Sequence, residues 1–290
     1  MKCVKIAAAL LIVSISLCRA QKPKAIKAAS DPDKWELEWN DEFSTPGLPD
    51  SSKWAYEAGF VRNNESQYYT PKRAANARIE HGSLLIESLK EDFPNANYLR
   101  GSADWKKKDS MAAYTSACLY TKGKKEFLYG RLEISAKLPQ GTGSWPALWL
   151  VGAVNLPWPG KGEIDVMEHL GYDTLTVYGT VHAASLDPKA PQHKISKGGT
   201  IKATTDILNN YHLYAMEWYE DTIDFFFDNT KYFSYVFKDY NILPGTFNKP
   251  FYLLINNAIG GSWGGKKGID DSSFPQQFFV DYVRYFKRKQ

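Results

Sequence analysis

Across residues 127–138 the side chains alternate, with Leu128, Leu132, Ile134, Ala136 and Leu138 on one side and Arg131, Glu133, Ser135 and Lys137 on the other. Successive residues of a strand point to opposite faces, so this pattern predicts a strand with one face buried. Runs of the same β-rich kind recur at residues 35–43, 78–89, 114–121, 175–184, 211–219, 222–227, 232–237, 251–256 and 278–286. Turn residues such as His81-Gly82, Asp228-Asn229 and Pro244-Gly245 separate them. No stretch carries the period of an amphipathic helix. Many short strands without helices can bury their apolar faces only against one another, which predicts an all-β sandwich of two antiparallel sheets. The chain is long and apolar enough for a sizeable core, with 290 residues of which 43% are hydrophobic. No repeat or low-complexity linker divides it, and Tyr282-Val283-Arg284 is expected to pair with early strands, so residues 34–290 read as one domain.

The N-terminus is of another kind. Lys2 and Lys5 precede an apolar run at residues 6–17, and Cys18-Arg19-Ala20 places small residues at the end of it. This order predicts an export signal over residues 1–20, cleaved after Ala20, with residues 21–33 as a polar spacer. The run falls short of the ~20 residues that span a bilayer, and no later segment approaches that length, so no transmembrane anchor is expected. The protein is then secreted or periplasmic. The alternative is lipidation of Cys18, which follows Ile15-Ser16-Leu17, and anchoring at the cell surface. Cleavage removes Cys3 and Cys18 and leaves Cys118, so neither an internal disulfide nor a thiolate metal cluster is expected. Of the net charge of +4, Lys2, Lys5 and Arg19 belong to the leader, leaving +1. A body so close to neutral argues against nucleic acid as a partner, which needs a basic face. A monomer is expected.

The chemistry concentrates in Gly162-Glu163-Ile164-Asp165-Val166-Met167-Glu168-His169. In a plain strand Glu163 and Asp165 share a face and Glu168 points away. A β-bulge near Val166-Met167 would return Glu168 to their side. Neighbouring acids raise one another's pKa, as a proton donor at neutral pH requires. From the spacing alone, an acidic face turned to solvent accounts for the pattern equally well. The context favours chemistry: Ser144-Trp145-Pro146-Ala147-Leu148-Trp149 and Pro157-Trp158-Pro159 come just before the acids. Indole faces suit the C–H faces of sugar rings, and paired carboxylates serve glycoside hydrolysis. Ordinary packing nonetheless accounts for most of the 9 Trp and 18 Tyr.

Two other motifs lead nowhere. Gly260-Gly261-Ser262-Trp263-Gly264 fits a serine-hydrolase elbow, but Gly265-Lys266-Lys267-Gly268 follows instead of a helix, and no histidine comes after His212. The 5 His are scattered without pair spacing to carboxylates, so no catalytic zinc is expected.

An ordered series of segments resembles glycoside hydrolase family 16, and within it the laminarinase-like members. The series comprises Trp39-Asn40-Asp41-Glu42-Phe43, Asn63-Asn64-Glu65 with Tyr68-Tyr69-Thr70, Tyr114-Thr115-Ser116, Tyr129-Gly130-Arg131, Trp145-Pro146-Ala147, residues 163–168 and residues 256–263. The resemblance implies a β-jelly-roll sandwich of two curved sheets with a concave substrate cleft, and hydrolysis with retention. It implies Glu163 as nucleophile, Glu168 as acid/base and Asp165 as the residue that orients the nucleophile. It makes Asn64 a sugar contact, although an asparagine in a turn needs no such role, and it places His182 beside the catalytic strand. Among the aromatics, Trp145, Trp149, Trp158 and Trp263 are candidate sugar platforms. Trp145 and Trp158 are preferred over Trp149, because Pro146 is expected to disturb the pairing between them. No cofactor is expected for catalysis. Many relatives hold a structural calcium through residues matching Glu42, Gly82 and Asp281. One departure stands out: Cys118 occupies a position where many laminarinases have an Arg, which leaves the subsite preference open.

The expected activity is a secreted retaining endo-β-glucanase acting on laminarin-type β-1,3-glucan or mixed-linkage β-1,3/1,4-glucan. The alternatives are a non-catalytic β-glucan-recognition protein, or an enzyme acting on an algal galactan. Sulfated substrates call for a basic cleft, and no Arg cluster is apparent in the segments expected to form it.

Overall fold

The computed structural model describes residues 31 and 33–289. The export signal with Cys3 and Cys18, and nearly all of the spacer, lie outside the described residues. A ten-stranded and a seven-stranded sheet enclose one core. Leu132, Ile134, Ala136, Tyr214, Met216 and Val283 project into it from the larger sheet, and Leu148, Leu150, Ile164, Val181, Leu253 and Ile255 from the smaller. The fold is a β-jelly-roll sandwich. Among the described residues the strands pair antiparallel except Gln67–Tyr69 and Met111–Ser116, which run parallel at the edge of the larger sheet.

The smaller sheet carries the site. Its strands follow the order Lys194–Lys202, Asp173–Ala184, Glu163–Leu170, Ser144–Gly152, Phe251–Ile259, Cys118–Tyr120 and Ala55–Tyr56. The acidic strand therefore sits near the middle, hydrogen-bonded on both sides. The last strand, Gln276–Arg288, pairs with Trp35–Asp41, bringing Trp35 opposite Arg288 and Asp41 opposite Val283. The expected pairing of the two ends of the body is thus present.

Two departures from the alternation pattern have local causes. Residues 127–138 form the strand Gly130–Lys137, whose apolar residues reach the core as expected, but Arg131, Glu133 and Ser135 on the other face are buried too. Arg131 lies 5.2 Å over the ring of Phe226 and donates to Glu133 at 2.7 Å and Glu217 at 3.0 Å. Buried charge is tolerated here because it is paired. The strands Ser144–Gly152 and Lys194–Lys202 lack a readable alternation: the first is buried on most of its length, and the second is a polar edge strand. Gly199 in that edge strand is required by close packing, since a Cβ there would come within 2.6 Å of Phe233 Cβ. Among the described residues no helix is long and apolar enough to cross a membrane.

Candidate active site

Along the acidic strand, Glu163 lies opposite Val151, Asp165 opposite Trp149 and Glu168 opposite Ala147. Three steps from Asp165 to Glu168 match two steps from Trp149 to Ala147. One extra residue is accommodated, and the same shift occurs against Asp173–Ala184. This is the bulge expected at Val166-Met167. Its cause is the composition of the motif: Ile164, Val166 and Met167 all enter the core, while Glu163, Asp165 and Glu168 all face outward into a cleft of about 890 Å³.

Each glutamate is held by an indole. Trp145 Nε1 donates to Glu168 Oε1 at 2.9 Å, and Trp158 Nε1 donates to Glu163 Oε2 at 3.1 Å. His182 lies opposite Glu163 in the ladder, with Nε2 at 3.1 Å from Asp165 Oδ2 and 3.6 Å from Glu163 Oε1. Its Nδ1 is 2.6 Å from Ser196 Oγ. Nε2 faces two carboxyl groups, which assigns the proton to it and makes Nδ1 the acceptor from the Ser196 hydroxyl. Burial lowers the pKa of His182. Burial raises all three acids, and mutual repulsion adds to it for Glu163 and Glu168. Glu163 is pushed up to about 7, against the opposing pull of His182 and the Trp158 N–H. Glu168 is raised well above its usual range, with only the Trp145 N–H and His182 favouring its charged form.

The aromatic expectations need one correction. Trp145 and Trp149 both line the cleft, while Leu148 and Leu150 between and beyond them enter the core. An even separation within a strand keeps two side chains on one face. Pro146 does not break the ladder: pairing with Phe251–Ile259 runs without a shift from Gly152 to Ser144. Pro146 also lies past Ala147, the last partner of the acidic strand, so its missing N–H is not needed there. Trp149 donates to Asn256 Oδ1 at 2.7 Å. Trp263, on the four-residue helix Gly261–Gly264, stands edge-on to Trp145 at 5.6 Å and to Tyr178 at 4.9 Å, closing one end of the cleft.

Asn64 is a second correction. It is exposed on a turn at φ 51° and is absent from the cleft lining, which contains Asn63 and Glu65 instead. Asn63 Nδ2 donates to Glu65 Oε1 at 3.0 Å. No Arg cluster lines the cleft, but basic residues from four separate segments do: Arg62, Lys161, Lys194 and Lys266. Nothing in the sequence marked Arg62 beyond its place just before Asn63-Asn64-Glu65.

Metal donors were also brought together unexpectedly. Ligand atoms of Glu163, Asp165 and His182 lie within 4.8 Å of one another, a spacing a metal ion could use. Scatter of histidines along the chain did not reveal this, because the strand ladder pairs His182 with Glu163 across nineteen positions. The calcium residues belong to the larger sheet: Glu42 follows its first strand, Gly82 turns the hairpin between Ala77–Glu80 and Ser83–Pro94, and Asp281 lies on Gln276–Arg288. Arg284 donates to both oxygens of the Glu42 side chain at 2.8 Å, so a calcium ion at these three positions would draw on backbone carbonyls and on Asp281.

The family follows from comparison with known proteins. The model of the glycosyl hydrolases family 16 matches residues 66–284. A β-glucanase of Rhodothermus marinus is 40% identical over 270 residues, covering 87% of this chain and 85% of the relative. The X-ray structure of the laminarinase from Rhodothermus marinus superposes with a TM-score of 0.75 at 37% identity, covering 88% of this chain and 98% of that one. A structure described under endo-acting O-glycanases, which prominent members of the human gut microbiota express to initiate mucin breakdown, gives 0.79 at 38% identity, covering 89% and 92%. With the family matched over most of its length and the acidic motif bulged into an aromatic-walled cleft, this chain belongs to the glycosyl hydrolases family 16.

Proposed function

We propose that the protein is an exported endo-β-glucanase that hydrolyses β-1,3-glucan or mixed-linkage β-1,3/1,4-glucan with retention. The observation that carries this is the pair Glu163 and Glu168 on one cleft floor, each fixed by the indole N–H of a flanking tryptophan. Glu168, whose proton burial and the neighbouring carboxylates help to retain, gives it to the glycosidic oxygen as the bond to the anomeric carbon breaks. Glu163, ionised above about 7, attacks that carbon and forms a glycosyl-enzyme. Water then attacks the same carbon, Glu168 takes its proton, and the Glu163 carboxylate is released.

Retention needs the two carboxyl groups ~5–5.5 Å apart. Their partners Val151 and Ala147 are four residues apart, or ~13 Å along the strand, so both side chains must lean toward Asp165. The repulsion that Asp165 exerts on both glutamates supports that convergence. Asp165 and His182 would position Glu163, and Trp145, Trp149, Trp158 and Trp263 would stack on sugars. A cleft open at the surface of a sheet admits a chain lying across it, which favours internal cleavage. No metal or cofactor takes part in these steps.

A second reading, hydrolysis within a galactose-containing or sulfated glycan, is favoured by Lys161, Lys194 and Lys266 at the cleft wall, which form no ion pair among the described residues. Product analysis on laminarin, mixed-linkage glucan and mucin glycans separates the two. Oligosaccharides from either glucan, with a β anomeric signal appearing first by NMR and no release from cellulose or starch, are expected. An α first signal, glucose as sole product, or activity confined to mucin glycans, agar or carrageenan would overturn the proposal.

A further inference from the structure

The segment that carries Arg62 lies over the concave face of the smaller sheet. Glu57 N–H donates to Cys118 O at 3.0 Å, and Val61 and Trp149 both pack on the buried cluster of Tyr69, Cys118, Val151 and Leu254. Cys118 is opposite Asn256 in the ladder. Cross-strand partners share a face, so the thiol is directed to the cleft side of the sheet, where Asn256 lines the cleft. Yet Cys118 is fully buried. The segment that covers it puts a guanidinium in its place: Arg62 lies 5.0 Å over the ring of Trp149 and lines the cleft.

That guanidinium is half-satisfied. Nη2 donates to both carboxylate oxygens of Glu57, whereas Nη1 is buried without a partner. A buried charged donor left unpaired is costly unless a ligand completes it. The cleft also adjoins a second hollow of about 360 Å³ walled by Tyr56, Tyr120 and Tyr252 that shares Glu57, Val61 and Tyr252 with it. Glu57, the partner of Arg62, thus borders both.

We propose that Arg62 is a specificity-determining residue whose Nη1 donates to an oxygen of the sugar seated against Trp149, with Glu57 holding the guanidinium in position. Glu57 balances the charge of Arg62, so the acceptor is a neutral oxygen, such as a hydroxyl, in preference to a sulfate or carboxylate. The donor comes from the covering segment because the strand beneath offers only a cysteine. This rests on reading the cleft as a glycan-cleaving site, but not on which glycan is cut.

The test uses the polysaccharide that the wild type cleaves best, so a failure of glucanase activity in the wild type is seen separately. Arg62→Met is expected to raise KM about tenfold while kcat falls less, the size of effect that loss of one charged hydrogen bond gives. Arg62→Lys should not rescue KM, because one ammonium cannot hold Glu57 and reach the sugar in the same fork. Glu57→Gln, which keeps the guanidinium but loosens its clamp, should raise KM to a lesser extent and guards against misfolding of the first variant. Oligosaccharide binding to the Glu163→Gln protein, with and without Arg62→Met, gives the same comparison without turnover. KM and binding unchanged in folded Arg62→Met would overturn the proposal. A loss confined to sulfated substrates would overturn the neutral acceptor.

Discussion

The indole N–H of Trp145 donates to Oε1 of Glu168 at 2.9 Å, so a candidate sugar platform and the candidate proton donor are one unit. Trp158 and Glu163 repeat the arrangement at 3.1 Å on the other side of Asp165. A sugar pressed against either indole would then meet a carboxyl group already held in one orientation.

Replacing Trp145 by Phe keeps an aromatic ring and removes the donor. The N–H favours charged Glu168 against burial, so its loss should raise the pKa further. The alkaline limb of kcat/KM is expected to move to higher pH, with an overall loss of about tenfold or more as the carboxyl loses its anchor. A pH–rate profile in which that limb stays put would separate Trp145 from the titration of Glu168.

Azide should distinguish the two glutamates. Glu163→Ala is expected to abolish hydrolysis and to be rescued as an α-glycosyl azide on an activated substrate. Glu168→Ala should still turn over activated leaving groups and yield a β-glycosyl azide. The reverse anomers would exchange the assignments.

Glu163 also predicts a pH effect on stability. Its pKa rises from the ordinary 4.5 to about 7 on folding, so between those values the native state holds a proton that the unfolded chain has lost. Stability therefore declines as pH rises through that window, and the full cost is present above about 7. Glu163→Gln removes it. The variant should be more stable than the wild type by ~1–3 kcal/mol at pH 8, and by nearly nothing at pH 4. Equal melting temperatures at pH 8 would show that the carboxyl is not buried at this cost.

Chelation tests the metal reading. Glu163, Asp165 and His182 are used here as an acid–imidazole group, and Arg284 occupies the Glu42 carboxylate. Dialysis against EDTA should leave both kcat and the melting temperature within error of untreated protein, and added calcium should change neither. A loss of activity restored by one divalent ion would place a metal among the three cleft ligands. A loss of melting temperature restored by calcium would place that ion on the larger sheet, at Glu42, Gly82 and Asp281.

The positions of most of the longer strands and the burial of their alternating apolar residues were legible in the chain, because a strand with one buried face writes its two faces into its own period; Ser144–Gly152 and Lys194–Lys202, which lack that alternation, were not. The bulge was legible too. Glu163, Asp165 and Glu168 can face one cleft, with Ile164, Val166 and Met167 in the core, only if one extra residue is taken up between them. Family motifs identified the cleft for the same reason, since the residues that do chemistry lie on one short strand. Other features depend on neighbours far along the chain. Asn63 and not Asn64 enters the cleft because the turn at positive φ is closed by Ser262, whose N–H reaches Asn63 O at 3.1 Å. Trp149 joins Trp145 because the ladder with Phe251–Ile259 carries both past Pro146 in one register. Arg62 replaces Cys118 at the cleft wall because a loop, anchored by a backbone bond to that very cysteine, folds back across it. A local pattern specifies which residues share a face, but what lies over that face is settled by the packing of segments that no short window of sequence contains.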